Sequence, residues 1–131
     1  MKKVVLVTGA SSGIGLETAK LLIEQGHIVY AAARRIDKMK AIGELGANLL
    51  EMDVTNEASM VAGVDTILKK EGRIDVLVNN AGYGSYGSLE DVPLSEARYQ
   101  FDVNIFGLAR LAQLVIPTLR AQKSGKIINI S

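Results

Sequence analysis

The most constraining feature of the sequence is the stretch from residue 4 to residue 15, VVLVTGASSGIG. Its first four residues are β-branched or apolar, a composition typical of a strand buried in a parallel sheet. A glycine-rich turn follows at once, and Ile14, Gly15 and Leu16 then begin a helical pattern. A strand, a glycine turn and a helix in this order present backbone N–H groups and a helix N-terminus to a phosphate. The stretch therefore predicts a phosphate-binding unit.

Each of the three glycines in this stretch has its own steric role. Gly9 permits the sharp exit from the strand, and Gly13 lets the backbone approach a pyrophosphate without a Cβ in the way. Gly15 lets the helix pack close to the strand. The spacing is GxxxGxG and not the GxGxxG of many dinucleotide-binding proteins. For an isolated turn of this kind the alternative is an ordinary tight loop, so the interpretation depends on the motifs downstream.

The composition limits the class of protein. The 131 residues suffice for a single domain, 1–131, and a hydrophobic content of 48% indicates a globular chain. A net charge of +1 gives no support for nucleic acid as a partner. There is no cysteine and only one histidine, His27, which we place at the solvated surface. We therefore expect no disulfide framework and no metal site.

No stretch of the sequence has the length of a membrane span. The four apolar residues that follow the first three residues are also too few for the core of a signal peptide. We therefore expect a cytoplasmic protein with no membrane segment.

Apolar runs alternate with helical patterns along the whole chain. The predicted strands are residues 4–7, 28–33, 47–52, 74–78 and 126–130. The predicted helices are residues 12–25, 37–45, 55–70 and 95–121. This alternation requires right-handed crossovers between parallel strands. We predict an α/β fold of the Rossmann type, a doubly wound parallel sheet with helices on both faces, truncated after strand five.

Local signals give details of three predicted helices. Ile14, Leu21 and Leu22 mark the inner face of the first helix. Asp37 is the expected N-cap of the second helix, and Thr55 is the expected N-cap of the third.

The fourth predicted helix is apolar almost all round. Between residues 103 and 119 a helix of this composition needs cover on two faces, so one face lies on the sheet and the other predicts a partner. Pro117 should kink or end the helix. The polar residues in this stretch are Asn104, Arg110, Gln113 and Thr118.

Polar residues follow the predicted strands at the edge where such sheets bind ligands, the carboxyl ends of the strands. These residues are Thr8 and Gly9 after the first strand, Arg34 and Arg35 after the second, Asp53 after the third, and Asn79 and Asn80 after the fourth.

With these motifs the chain resembles the short-chain dehydrogenase/reductase family, in the branch with a TGxxxGxG turn. The resemblance is carried by residues 8–15, by Asp53-Val54, by the NNAG segment at 79–82 and by Asn104, and it covers the whole chain. It implies an NADP(H)-dependent oxidoreductase that transfers a hydride between the nicotinamide and a small-molecule carbonyl or alcohol substrate. The alternative function is a non-catalytic dinucleotide-binding module or an inactive fragment. The resemblance also implies a homo-oligomer formed through the helix at 95–121.

The resemblance implies a set of cofactor-binding residues. In this set Asp53 would accept a hydrogen bond from the adenine amino group, although capping of the next helix is an alternative role. Asn79 and Ala81 would line the ribose and brace the fourth strand, with a simple asparagine-rich turn as the alternative. The cofactor-binding residues are Gly9, Ser11, Ser12, Gly13, Ile14, Gly15, Arg34, Arg35, Asp53, Val54, Asn80, Ala81 and Gly82.

The residues after the second strand favour NADP over NAD. An NAD enzyme needs a carboxylate at this point to bind the ribose 2′-hydroxyl. Ala33 occupies that place, and Arg34 and Arg35 follow it. A 2′-phosphate would meet a guanidinium group and no acid that repels it. The alternative is that the two arginines belong to a solvated surface.

The family's catalytic residues are only partly present. The resemblance implies a tyrosine as proton donor, a lysine four residues later that lowers its pKa, and a serine that holds the substrate oxygen. No Tyr-x-x-x-Lys sequence occurs in the chain. Asn104 is the catalytic residue that the resemblance assigns, as the holder of a water in a proton relay, and a residue at a helix kink is the alternative. We therefore expect the chain to lack the family's C-terminal catalytic and substrate-binding part, and the 131 residues alone to be inactive.

Overall fold

A computed structural model describes residues 2–131. Five strands alternate with helices along the chain. In chain order they are β1 Val4–Thr8, α1 Gly13–Glu24, β2 Ile28–Ala33, a 3₁₀ turn Ile36–Met39, α2 Lys40–Glu44, β3 Asn48–Glu51, α3 Glu57–Glu71, β4 Val76–Asn79, α4 Leu94–Phe101, a π-helical segment Asp102–Gly107, α5 Leu108–Gln122 and β5 Lys126–Asn129.

The strands form one parallel sheet in the order β3-β2-β1-β4-β5. The predicted α/β fold of the Rossmann type is therefore confirmed. β1 lies in the centre of the sheet and is buried along its whole length, as its apolar composition predicts. The chain leaves β1 towards β2 on one side and returns to β4 on the other. The carboxyl ends of β1 and β4 thus form the switch point at which ligands of such sheets bind.

Two apolar cores lie on opposite faces of the sheet, because side chains along a strand point alternately to the two faces. Leu6 of β1 belongs to the core that α3 and α5 cover, together with Ile67 and Leu111. Val7 of β1 belongs to the core that α1 and the segment around α2 cover, together with Ile42. The prediction of helices on both faces is confirmed.

The inner face of α1 differs from the prediction. Ile14 and Leu21 are 62% and 54% exposed, whereas Gly15 and Ala19 are buried and Leu22 is half-buried. Residues 15, 19 and 22 form a single helical stripe, and residues 14 and 21 lie one position away from it. The helix approaches the sheet so closely at Gly15 that no side chain fits there, and Leu22 packs against the core while Ile14 and Leu21 lie on the outer side.

Both predicted N-caps were wrong. Asp37 lies inside the first turn of the 3₁₀ segment, and Arg35 occupies the cap position without a side-chain bond. Asn56 caps α3, and its side chain accepts a hydrogen bond from the backbone N–H three residues later at 3.0 Å. Thr55 is instead held by Asp53, whose Oδ1 accepts from the Thr55 hydroxyl at 2.7 Å. The competing bond to Asp53 explains why Thr55 does not cap the helix.

The long helix continues past Pro117. The helical run extends from Leu94 to Gln122, and Pro117 lies inside α5. The helix therefore does not end at Pro117, and the alternative of a kink at this residue stays a prediction. Proline removes one backbone hydrogen bond, but Leu111 and Val115 of the same helix are fully buried, and their packing holds α5 against the sheet.

Polar contacts tie the strands together at the amino-terminal edge of the sheet. The Asp75 carboxylate is buried and accepts from the Val4 N–H at 2.7 Å and from the Arg73 guanidinium at 2.6 Å. Burial raises the pKa of Asp75, but the hydrogen bonds from Arg73 and Val4 outweigh it and hold this pKa below its usual range. His27 is half-buried rather than solvated, and its Nδ1 accepts from the Lys3 backbone N–H at 3.1 Å.

We predict that Asp75 makes the stability depend on pH in the acid range. Because its pKa is lower in the folded chain, its stabilisation is fully present above the unfolded value of about 3.9 and is lost as the pH falls through the folded pKa. Asp75→Asn should lower the free energy of unfolding at pH 7 by about 1–3 kcal/mol, because Arg73 and the Val4 N–H lose their charged acceptor. Urea unfolding at pH 7 and in the acid range measures both effects.

Asp65→Asn is the matched control for this experiment, since Asp65 is exposed on α3. It should leave the free energy of unfolding within about 0.5 kcal/mol of the unmodified value. Equal stabilities of Asp75→Asn and the control would contradict the role of Asp75.

Candidate functional site

A cavity of about 300 Å³ lies at the carboxyl ends of β1, β2, β3 and β4. We call it the strand-end cavity. It lies at the switch point of the sheet, where α/β proteins bind their ligands. It brings together nine of the residues that the sequence predicted to bind the cofactor. These are Gly9, Ser11, Ser12, Arg34, Asp53, Val54, Asn80, Ala81 and Gly82.

The other predicted residues lie near this cavity or outside it. Gly13 and Ile14 are exposed in the first turn of α1, on an adjoining shallow surface. Gly15 is buried beneath the turn, and Arg35 is exposed after β2 without lining the cavity. Asn104 lies in the π-helical segment and does not line the cavity.

Thr8 fixes the position of the loop after β4. This residue is buried at the end of β1, and its hydroxyl accepts from the Asn80 N–H at 2.9 Å and from the Ala81 N–H at 3.0 Å. The same hydroxyl donates to the Val78 carbonyl oxygen at 3.3 Å. The sequence prediction did not assign this role. A hydroxyl residue that ends a fully apolar strand is the signal that indicates it, because its side chain is buried there and needs partners.

The glycines of the turn allow two close approaches. Gly9 has a φ of +61°, and a side chain at Gly15 would overlap the Gly9 carbonyl oxygen and the Asn80 side chain. The Asn80 amide donates to the carbonyl oxygens of Thr8 at 3.3 Å and Gly9 at 3.2 Å, which closes the turn. Gly13 has a φ of +58°, and a Cβ there would meet no protein atom within 4 Å. The turn is packed on its inner side and open on its outer side.

The start of α1 fits a bound anion. Ser12 occupies the N-cap position, but no side chain caps the first turn and no acidic residue lies in it. The first N–H groups of a helix have no partner within the helix, and the helix dipole favours negative charge at this end. Together with the open space beside Gly13, this geometry can receive a pyrophosphate.

The ends of β2 and β3 differ in charge. Ala33 ends β2, and Arg34 after it is exposed and donates from Nη1 to the Tyr99 hydroxyl at 2.9 Å. Asp53 follows β3, and its Oδ1 accepts from the Thr55 N–H at 2.9 Å. Because Asn56 caps α3, Asp53 does not have the alternative role of helix cap.

Asn79 turns away from the strand-end cavity. Its amide donates to the Asn129 side chain at 3.1 Å and to the Leu108 carbonyl oxygen at 3.4 Å, and the residue is buried. Asn79 therefore braces β4 against β5 and α5. Asn79 is not among the residues that line the cavity, and its contact with the ribose stays a prediction.

Asn104 binds the loop backbone with both ends of its amide. Its Oδ1 accepts from the Tyr83 N–H at 2.9 Å, and its Nδ2 donates to the Tyr83 carbonyl oxygen at 2.8 Å. The residue lies in the π-helical segment, where the helix departs from regular α geometry. Its position thus agrees with the alternative role at a helix irregularity. The proton-relay role remains a prediction.

Two tyrosines on the wall of the cavity were missed as site residues. Tyr83 and Tyr99 line it, and their rings meet edge to face with centroids 4.9 Å apart. The Tyr83 hydroxyl donates to Glu96 at 3.2 Å, and partial burial and this carboxylate raise the pKa of Tyr83. The sequence prediction considered tyrosines only as proton donors, and no local pattern indicates that α4 reaches the cavity.

Two structural features are absent from residues 2–131. These residues hold no group of three or more histidine or acidic side chains arranged for a metal ion. None of the helices in this range is both long and apolar enough to cross a membrane.

The sequence matches a family model described as short chain dehydrogenase over residues 3–131. It is 44% identical over 129 residues to the 3-ketodihydrosphingosine reductase of Bacteroides thetaiotaomicron, a match that covers 98% of this chain and 46% of that protein. It is 40% identical over 126 residues to the probable short-chain type dehydrogenase/reductase VdlC of Helicobacter pylori, covering 96% and 46%. The chain thus spans about half the length of these curated relatives.

Solved structures match the fold closely. A short-chain dehydrogenase from Streptomyces avermitilis superposes with a TM-score of 0.95 at 37% identity, covering 99% of this chain and 49% of that one. A metagenomic short-chain oxidoreductase in complex with NADP superposes with a TM-score of 0.94 at 36% identity, covering 98% and 62%.

Proposed function

The chain belongs to the short-chain dehydrogenase family, and from this membership we propose that it is the dinucleotide-binding part of an NADP(H)-dependent oxidoreductase. The bound cofactor would supply or accept the hydride that is exchanged with a small-molecule carbonyl or alcohol. The observation that carries this proposal is the strand-end cavity beside the uncapped start of α1. The metagenomic relative that was solved with NADP supports the choice of ligand.

The glycine turn would hold the pyrophosphate. We assign this role to the residues of the turn because the helix start is positive and the outer side of Gly13 is open. Ser11 and Ser12 lie in the wall of the cavity, and their hydroxyl groups can donate to phosphate oxygens. Gly9 and Gly15 keep the helix against the strand, and Ile14 presents its backbone N–H in the first turn.

The two sides of the cavity would hold the adenosine. Asp53 and Val54 after β3 lie on one side, and Asn80, Ala81 and Gly82 after β4 lie on the other. Asp53 can accept from the adenine amino group through its second carboxylate oxygen, because Thr55 occupies Oδ1.

Arg34 and Arg35 would favour NADP over NAD. Arg34 lies at the cavity with Ala33 before it, so a 2′-phosphate meets a guanidinium group and no carboxylate at the end of β2. Arg35 is exposed next to it and adds positive charge.

We infer a division of the chemistry, in which this chain supplies the cofactor site and not the proton donor. The chain holds no Tyr-x-x-x-Lys sequence, so we propose that the 131 residues bind the cofactor without turning it over. Asn104 would support the reaction by holding a water. Its two hydrogen bonds to the Tyr83 backbone fix the loop beside the cavity. A non-catalytic dinucleotide-binding module is the second candidate function. The residues of the strand-end cavity support dinucleotide binding equally under either function.

We also propose a homo-oligomer through the helical run from α4 to α5. Its outer face carries large apolar side chains, of which Phe106 is 62% exposed, and they surround a depression of about 450 Å³. Arg98 and Asp102 flank this depression, so a second copy turned by a two-fold rotation can pair these opposite charges. An apolar helix face of this kind is stabilised by a partner that covers it.

We predict that the 131-residue chain binds NADPH without consuming it in the presence of aldehydes and ketones. Gly13→Val should weaken NADPH binding by about a hundredfold or more, equal to about 2.7 kcal/mol, because the new side chain occupies the pyrophosphate site. Calorimetric titration measures the binding, and the NADPH absorbance measures the consumption. NADPH oxidation by the chain alone would contradict the division of the chemistry.

Gly26→Val is a matched control for this variant. Gly26 also has a positive φ, and a Cβ there also meets no protein atom within 4 Å, but it lies at the far end of α1. It carries a similar backbone strain without approaching the cavity. Normal binding by Gly26→Val and lost binding by Gly13→Val support the phosphate site, whereas equal losses contradict it.

We predict that the cofactor preference can be reversed at the end of β2. The double substitution Ala33→Asp and Arg34→Ser should shift the preference from NADPH to NADH by about 1–3 kcal/mol, because it removes charge-assisted bonds to the 2′-phosphate and adds an acceptor for the 2′-hydroxyl. The dissociation constants of both cofactors measure the shift, and thermal unfolding checks the fold. Equal affinities of the unmodified chain for the two cofactors would contradict the assignment.

We predict that Phe106→Glu converts the oligomer to a monomer, because two buried carboxylates would face the apolar contact. Light scattering measures the molar mass of each variant. Leu89→Glu is the control, since Leu89 is 96% exposed in the loop before α4 and should leave the oligomer intact. A monomeric unmodified chain at micromolar concentration contradicts the proposed contact.

A further inference from the structure

One polar contact at the strand-end cavity has no role in the function proposed above. The Arg34 guanidinium donates from Nη1 to the Tyr99 hydroxyl at 2.9 Å, across 65 residues of sequence. Both residues line the cavity. Arg34 is exposed, and it forms no ion pair with any acidic side chain in residues 2–131. The hydroxyl of Tyr99 is therefore the contact that restrains this arginine.

The ring that carries this hydroxyl is itself held in place. Tyr99 packs edge to face against Tyr83 at an interplanar angle of 84°. The Tyr83 hydroxyl donates to Glu96, which also accepts from the Ser85 hydroxyl. Glu96 precedes Tyr99 by three residues, so the two side chains lie on the same face of α4. This face of the helix thus holds both the loop after β4 and the end of β2.

The contact leaves most of the guanidinium free. An arginine side chain has five N–H donors in a planar fork, and Tyr99 accepts from one nitrogen. The remaining donors at Nη2 and Nε can bind two oxygens of a phosphate. The tyrosine hydroxyl is uncharged, so it restrains the arginine without neutralising the charge that a phosphate needs.

We propose that Tyr99 positions Arg34 for the 2′-phosphate of NADP(H) and thereby contributes to the choice between NADP(H) and NAD(H). This inference rests on the proposed function, in which Arg34 binds that phosphate. A free arginine loses side-chain freedom when it binds, and an arginine already held in place loses less. NADH has a hydroxyl in place of the 2′-phosphate, so its binding does not depend on the position of the Arg34 guanidinium. The Tyr99 hydroxyl should therefore affect the binding of NADPH alone.

Tyr99→Phe tests this role, because it removes the hydroxyl and keeps the ring that packs on Tyr83. The dissociation constant for NADPH should rise about three- to tenfold, and that for NADH should not change. Tyr86→Phe is the matched control, since Tyr86 is 95% exposed, and it should change neither constant. If Tyr99→Phe weakens the binding of NADPH and of NADH to the same extent, Tyr99 only lines the cavity, and the proposal is overturned.

Arg34→Met separates this inference from the function on which it rests. Adding Tyr99→Phe to Arg34→Met should cause no further loss of NADPH affinity, because the hydroxyl acts only through the arginine. If Arg34→Met weakens NADPH binding and Tyr99→Phe does not, the positioning role is overturned and the proposed cofactor preference stands. If Arg34→Met leaves NADPH binding unchanged, the proposed cofactor preference itself is overturned.

Discussion

The close approach of α1 to the end of β1 is the constraint on which the rest of the site depends. Gly15 lies against the Gly9 carbonyl oxygen and the Asn80 amide, where no side chain fits. The Thr8 hydroxyl binds the loop after β4 to the same point by accepting from the Asn80 and Ala81 N–H groups. The strand-end cavity is the space that these contacts leave open. Its position is therefore set by the packing at Gly15 and by the hydrogen bonds of the Thr8 hydroxyl at the switch point.

The helices α1 and α3, which lie on opposite faces of the sheet, begin in different ways. Asn56 caps α3 with its side chain, whereas Ser12 at the start of α1 makes no cap bond although serine favours this position. A missing cap costs about 1 kcal/mol of stability. The same absence leaves the first N–H groups of α1 and the Ser12 hydroxyl free for an anion. A helix cap that would add stability is missing where a binding site needs unpaired N–H donors. The packing of the rest of the fold compensates for the lost stability.

The sequence alone predicted the fold in most respects, because five apolar runs separated by helical patterns allow few topologies. It misplaced features that depend on tertiary contacts. Hydrophobicity assigned Ile14 and Leu21 to the inner face of α1, but the stripe that faces the sheet is formed by Gly15, Ala19 and Leu22, one position away. Thr55 and Asn56 both suit an N-cap by residue type, and the bond from Thr55 to Asp53 decides between them.

Within the site, motifs on the strand ends were predictable and the contribution of α4 was not. The residues after β1 to β4 meet at one edge because parallel strands end there. Which residue of α4 reaches that edge depends on the loop before it and on the π-helical segment after it. A π turn holds more residues than an α turn and so changes the direction of the side chains that follow. Asn104 then contacts the Tyr83 backbone, while Tyr99, about one turn earlier, and Glu96, about two turns earlier, contact the Tyr83 side chain. The loop beside the strand-end cavity is thus ordered by α4, which also contributes Tyr99 to the lining of the cavity.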